Sequence, residues 1–330
     1  VQNLPSSIDI AAAGFSSYAV DMTGSVWSWG NNNSCKLGFT YSGDILSPNK
    51  TVIKDIESIS TGYDHCLAIG EDGNIYSWGD NGFGQLGVTG ITTYTPQKQN
   101  IGLSNIKNSF SKCHHNVAVT SDGKTYAWGR NDYGQLGIRT ISDKVFEPTL
   151  VVENSFETVA MDIYSTYAVS NDGNLFKWGY MPNGNPDMYV NQQSYNPLKI
   201  PFGSKFIQVD AKRNSVVALD ENGNVYTWGD GSYYDLGHGQ ENKNINYPQK
   251  VEGLPKIVKV AKGKNHTLAL DENGYVWGWG NNSSGELGND LKGKVYIPTK
   301  ISRIDHITDI SAGTGFSAAI REYDLSLIHI

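Results

Sequence analysis

Three histidines, His65, His115 and His266, open the same short apolar segment in three copies of a repeat. Metal or acid–base chemistry would have to start from them, because neutral imidazole is both a ligand and a base near pH 7. Either use needs the rings together, and they fall on three different repeat units. Each imidazole is therefore expected to hydrogen-bond backbone at a turn within its own unit. Asp271-x-Asn273-Gly274 and Asp220-x-Asn222-Gly223 look like the start of a calcium loop, but the bidentate Glu that closes such a loop is missing. A hairpin turn accounts for both. Glu71-Asp72 and Asp220-Glu221 pair carboxylates at turn tips, where solvation is the default. Cys35, Cys66 and Cys113 show no metal-ligand spacing, and an odd count excludes a complete disulfide framework. They read as small buried thiols. No Ser, Cys or Lys sits in a nucleophile motif. No enzyme activity and no cofactor are expected.

The elements that carry these residues come from a long repeat. Val225-Tyr226-Thr227-Trp228-Gly229 recurs as Val26–Gly30, Ile75–Gly79, Thr125–Gly129, Leu175–Gly179 and Val276–Gly280, and the Trp positions 29, 78, 128, 178, 228 and 279 step by 49 to 51 residues. Such a period is a repeated supersecondary unit. In the unit from Ile257 to Pro298, Ile257–Val260 and His266–Leu270 alternate as strands. Asn273-Gly274 supplies the positive φ of a tight hairpin, and Tyr275–Trp279 returns as a third strand. A Gly/Asn loop ending in Leu287-Gly288 leads to Ile297–Ile301, an outer strand where Pro298 is tolerated. Nothing has helical period, so four short antiparallel strands per unit read as a propeller blade. Tyr76 and Trp78 face one way, Ile75 and Ser77 the other. The residue before each Trp is Ser28, Ser77, Ala127, Lys177, Thr227 or Gly278. Five of the six are small, and the expectation is that a ring of one blade sits over such a small residue of the next.

Gly62…His65…Ala68 followed by Asp72-Gly73-Asn74-Ile75-Tyr76-Ser77-Trp78-Gly79-Asp80-Asn81-Gly82-Phe83-Gly84-Gln85-Leu86-Gly87 resembles the repeat of the regulator of chromosome condensation family, as does Asp122 to Gly137. There is no Trp-Asp dipeptide and no Gly-Gly pair, as two other propeller repeats would want. The resemblance covers about residues 1 to 324. It implies an all-β, seven-bladed β-propeller of four-stranded antiparallel blades, the seventh incomplete at the C-terminus. The fourth unit departs from the pattern at Lys177 and from Tyr180 to Pro186, and Ser165 and Ser215 replace the motif His. The first unit is one residue short around Phe15, Ser16 and Ser17, which leaves its register open. Val1–Pro5 matches Val251–Pro255, so the chain begins inside a unit. Ile310–Ile320 supplies two strands of a seventh unit whose Trp-Gly strand never arrives, leaving an open sheet edge. Leu325–Ile330 reads as a translated end of the transposon adapters used in DNA sequencing. The expectation is a gene fragment: a propeller at 1–324 and a non-native tail at 325–330.

A net charge of −7, with 26 scattered basic residues, disfavours nucleic-acid partners. No apolar run is long enough for membrane insertion. In a four-strand meander the first-to-second turns and third-to-fourth loops share one face. From the turns it gathers Phe15, Tyr63, His114, Tyr164, Arg213 and Lys264; from the loops Phe83, Tyr133, Tyr180, Met181, Tyr233 and Tyr234. Aromatic and Arg side chains on anchored loops are protein-binding material. The leading expectation is a non-enzymatic scaffold binding another protein through Tyr63, Phe83, Tyr133, Tyr164, Arg213, Tyr233 and Tyr234. The alternative is a carbohydrate-binding module, taking polysaccharide on Tyr platforms of the same face. The family resemblance implies nucleotide exchange on a small GTPase, chromatin contact, or capture of another protein. Units of 49 to 51 residues have no room for the exchange members' wedge insertion, and the acidic balance disfavours chromatin. Frequent Asn, Lys, Ile and Tyr with only five Arg suit an AT-rich bacterial genome. Bacterial relatives imply an extracellular or cell-surface place.

Overall fold

Each Asx-Gly pair between two apolar runs closes a hairpin, and each apolar run is a strand. The computed structural model describes residues 4–41, 43–90, 92–180, 194–239, 243–289, 292–321 and 327–329. Sheet 1 runs Ser7–Ala13, Ser16–Asp21, Val26–Gly30, Ile45–Lys50; sheet 2 Ile56–Thr61, His65–Gly70, Ile75–Gly79, Thr93–Lys98; sheet 3 Ile106–Lys112, His115–Thr120, Thr125–Asn131, Ser142–Val152. Sheet 4 runs Phe156–Met161, Ser165–Ser170, Leu175–Gly179, Ser194–Lys199; sheet 5 Phe206–Lys212, Ser215–Asp220, Val225–Gly229, Ile245–Lys250; sheet 6 Ile257–Lys262, His266–Asp271, Val276–Asn282, Gly293–Lys300. All six are meanders in sequence order, and Pro48, Pro96, Pro148, Pro197, Pro248 and Pro298 all fall on fourth strands. Two compact units divide the chain, residues 1–156 with 163–166 and 194–198, and the remainder.

Sheet 7 has three strands, Ile307–Ala312, Ser317–Arg321 and Leu327–His329, the last pairing Ala318 with His329. Two missing strands were expected, yet part of the tail takes the third place; residues 322–326 and 330 lie outside the described residues. Sheet 1 keeps its register by closing Ala13↔Ser16 with a two-residue turn, Gly14 and Phe15 both at positive φ. That is the twist a tight hairpin favours.

The Trp-Gly pair has a steric cause. Gly129 sits at φ +106°, where the third strand breaks register with the fourth between Ala127 and Gly129. A Cβ there would lie 2.5 Å from the His114 carbonyl oxygen. Gly129→Ala is expected to cost about 2–3 kcal/mol, from a strained φ and a backbone clash. Urea unfolding checks this; an unchanged midpoint would mean that the bulge relaxes freely.

The core lies between successive sheets. One apolar cluster joins Tyr18, Val20, Val26 and Leu37 of the first repeat to Ile56, Ile59 and Trp78 of the second; another joins Leu67, Ile69 and Ile75 to Ile106, Ala118 and Trp128. Trp78, Trp128, Trp178, Trp228 and Trp279 are fully buried. In three repeats the indole reaches back one repeat: Trp78 Nε1 donates to Lys36 O at 2.7 Å, Trp128 to Gln85 O at 3.1 Å, and Trp279 to Asp235 O at 2.9 Å. Its ring lies against the glycine of the earlier Leu-Gly pair, Gly38, Gly87 or Gly237, where a Cβ would come within 3.4 Å of the indole nitrogen. The small residue before Trp is thus not the seat of the neighbouring ring. Ser28 Oγ, Ser77 Oγ and Thr227 Oγ1 instead donate to Leu37 O, Leu86 O and Leu236 O of their own loops. Strand alternation turns that residue away from the indole, so the Leu-Gly glycine makes the room. Trp29 is only half-buried.

The histidines also join sheets, contrary to expectation. His65 Nε2 lies 2.7 Å from Asn116 Oδ1, His115 Nε2 3.1 Å from Thr166 Oγ1, and His266 Nε2 2.9 Å from Ser317 Oγ, each partner in the following repeat. Asn116, Thr166 and Ser317 in turn donate to the carbonyls of Gln85, Gln135 and Glu286. They therefore accept from Nε2–H, leaving Nδ1 bare; it has no partner in any of the three. The turn reading of Asp271 holds: one carboxylate oxygen accepts the N–H of Asn273 and Tyr275, and the other accepts Trp277 Nε1. Cys35, Cys66 and Cys113 are buried thiols that form no disulfide.

Candidate functional site

In repeats 1, 2, 3, 5 and 6 backbone bonds put the first-to-second turn beside the loop after the third strand. Asn31 N donates to Phe15 O, Asp80 N to Asp64 O, Arg130 N to His114 O, Asp230 N to Asn214 O and Asn281 N to Asn265 O. A buried Asn pins the loop: Asn81 Oδ1 accepts Leu86 N and Asn131 Oδ1 accepts Leu136 N. The motif Gln then folds the tip. Gln85 Oε1 accepts Phe83 N at 2.7 Å while its Nε2 donates to Asp80, and Gln135 does the same for Tyr133 N and Asp132. Phe83 and Tyr133 are thus held from their own backbone N–H.

In the first compact unit these rings form a ladder across three repeats. Tyr63 lies 5.7 Å from His114, and His114 lies 5.0 Å from Phe83. The Arg130 guanidinium sits 5.3 Å from the Phe83 centroid and 5.9 Å from Tyr133, and Tyr133 lies 4.6 Å from Tyr164. Cation–π and tilted ring pairs at these distances add about 0.5–1.5 kcal/mol each. Asp132 grips Arg130 through both oxygens, at 2.9 and 2.6 Å, and raises its pKa. Burial, with Arg130 beside it, lowers the pKa of His114, so that rung is neutral at pH 7.

Four of the seven expected residues, Tyr63, Phe83, Tyr133 and Tyr164, therefore meet in one array. In the second unit Arg213 and Tyr233 pair separately, with the guanidinium 4.0 Å from the ring, Nη2 donating to the phenol oxygen and Nη1 to Asn265 Oδ1. Tyr234 leaves the array: at φ +62° it turns onto Tyr296 and under Lys294, both on the outer strand of sheet 6. Exposure is narrower than expected. Phe15 is 93% exposed and Tyr63 45%, while Phe83, Tyr133, Tyr164, Arg213, Tyr233 and Tyr234 are half-buried. They tuck against one another because a ring beside a ring sheds water at little conformational cost. Tyr180 is half-buried, and Met181 lies outside the described residues. Arg130 was missed; its one signal is a cation after Trp-Gly where units 1, 2, 5 and 6 have Asn31, Asp80, Asp230 and Asn281. Arg130→Ala is expected to cost about 1 kcal/mol in stability through lost ring contacts, read by urea unfolding.

Among the described residues no three His, Cys, Asp or Glu come together as a metal site. Residues 23–69, 72–117, 122–162, 222–270 and 273–320 match the regulator of chromosome condensation (RCC1) repeat, and 56–85, 206–235 and 257–286 match a second form of it. The chain belongs to the regulator of chromosome condensation repeat family. A similar stretch occurs in the human E3 ubiquitin-protein ligase HERC2, 37% identical over 102 residues, which is 30% of this chain and 2% of that protein. The match thus spans a small part of that relative. Among solved structures, human WBSCR16 superposes with a TM-score of 0.84 at 22% identity, covering 97% of this chain and 87% of that one. Prp20p from Saccharomyces cerevisiae does so at 0.80 and 22%, covering 96% and 82%. These neighbours establish the RCC1-repeat fold here: a seven-bladed β-propeller of four-stranded antiparallel blades with an incomplete seventh.

Proposed function

We propose that this chain is a non-enzymatic scaffold that binds another protein through the ladder face. The observation that carries it is the run Tyr63–His114–Phe83–Arg130–Tyr133–Tyr164, prefixed by the exposed Phe15. A rigid aromatic row with an exposed end is how interfaces concentrate energy without ordering loops. The yeast neighbour is described as binding Gsp1p and histones; those partners are not assigned to this chain. Polysaccharide draws less support, because Phe83 and Tyr133 face neighbouring groups rather than lying open as sugar platforms. A bacterial, extracellular place is part of the proposal: the bacterial reading rests on composition and the extracellular one on the family resemblance; fractionating cells that express the gene tests it.

The test compares cross-linked capture by the wild-type chain, by Phe15→Ser with Tyr63→Ser, and by Lys124→Ser on the opposite hairpins. Phe15 is exposed and Tyr63 packs partly on His114, so stability should change by no more than about 1–2 kcal/mol. Loss of two anchors should weaken binding at least ~30-fold, while Lys124→Ser leaves it intact. The same proteins captured by all three chains would sink the proposal.

A further inference from the structure

We infer that the end of the ladder at Phe15, Tyr63 and Asp64 receives an arginine side chain from the partner; this rests on the scaffold reading above. The turns that carry these residues are locked together. Lys36 Nζ donates to Gly14 O at 2.7 Å, to Tyr63 O at 3.2 Å and to Asp64 Oδ1 at 2.9 Å. The Gly14 backbone packs so closely on its neighbour that a Cβ there would lie 2.1 Å from the Tyr63 carbonyl oxygen. Tyr63 N also donates to Cys113 O. Phe15 and Tyr63 are thus presented from a clamped backbone.

The charges around them select the ligand. An ammonium has three protons, and Lys36, itself almost fully buried, has three acceptors. It offers no donor to an anion. His114, the next rung, is held neutral by burial. Asp64 gives one oxygen to Lys36, and its side chain remains 36% exposed. What this end offers a ligand is therefore aromatic surface and a carboxylate oxygen, on a chain of net charge −7. A planar guanidinium fits both: it stacks on rings and forks onto carboxylates, and it is less strongly hydrated than an ammonium. The chain uses this combination internally. Arg130 lies against Phe83 and Tyr133 with Asp132 on its fork, and Arg213 lies on Tyr233.

The test titrates the whole chain with three Gly-alternating peptide amides carrying Arg, Lys or Glu, followed by NMR shifts or labelled-peptide anisotropy at low and raised salt. The arginine peptide should bind about tenfold more tightly than the lysine peptide, and the glutamate peptide not at all. Phe15→Ser with Tyr63→Ser should remove that preference, and Asp64→Asn should weaken arginine binding severalfold. Phe15→Ser alone covers the case in which Asp64→Asn loosens the Lys36 clamp. Equal binding of arginine and lysine peptides, no arginine binding at millimolar peptide, or indifference to the ring substitutions would each overturn the assignment. The capture experiment then reports on the scaffold reading separately: ring-dependent capture without arginine preference leaves the scaffold standing and removes only the guanidinium.

Discussion

Trp128→Ala should lower the unfolding free energy by ~3–5 kcal/mol. The indole is fully buried and fills the space between sheets 2 and 3 with Leu67, Ile69, Ile75, Ile101, Ile106 and Ala118. Its N–H also holds the Gln85 carbonyl at the base of the Phe83 loop. Trp128 is the largest side chain in its own apolar cluster, so its smaller neighbours cannot close around the cavity. Trp128→Phe keeps most of the apolar contact and loses the donor; Asn116 Nδ2 still serves Gln85 O at 2.8 Å, so the loss should be about 1–2 kcal/mol. Trp29→Ala should cost markedly less than Trp128→Ala, since Trp29 is half-buried. Urea unfolding followed by far-UV dichroism, which does not depend on the deleted fluorophore, ranks the three. Equal losses at Trp29 and Trp128 would show that the between-sheet position is not what makes the indole count.

Acid should destabilise the chain as pH falls below about 6.5. Burial pushes His65 down to about 4 and His115 and His266 to about 3, against an ordinary 6.5. Desolvation leads in each; Asn116 partly offsets it at His65, His114 adds to it at His115, and Lys262 adds to it at His266. The geometry agrees: Nε2–H is used, and a proton added at Nδ1 finds no acceptor. The folded chain therefore binds fewer protons than the unfolded chain between about pH 6.5 and 4. Stability is full above 6.5 and falls as pH drops through that window. At pH 5 each histidine should cost roughly 2 kcal/mol, or roughly 6 for the three together. Urea midpoints at pH 7.5 and 5.0 measure this, and the triple variant His65→Gln, His115→Gln, His266→Gln should flatten most of the difference. A wild-type midpoint that does not move between those pH values would contradict the assignment.

Much of the fold was legible because its rules are local. An Asx-Gly pair needs only its own φ to make a hairpin, period-two alternation marks a strand within five residues, and proline declares an outer strand by lacking a donor. The Trp-Gly and Leu-Gly pairs repeat at a constant step, so the unit and its loop face followed from sequence alone. The partners did not. His65 bonds Asn116, 51 residues on, and Trp128 bonds Gln85, 43 residues back. A sequence shows that such a side chain is apolar or polar; it does not show whether the sheet before or after will supply the acceptor. The site divides in the same way. Tyr63, Phe83, Tyr133 and Tyr164 were named from turn and loop positions, but sheet packing stacked them, set Arg130 between two rings and sent Tyr234 to the outer strand of sheet 6. Backbone preference acts over a few bonds and can be read in order. Side-chain contacts across ~50 residues depend on how neighbouring sheets lie against each other, and only the tertiary structure supplies that.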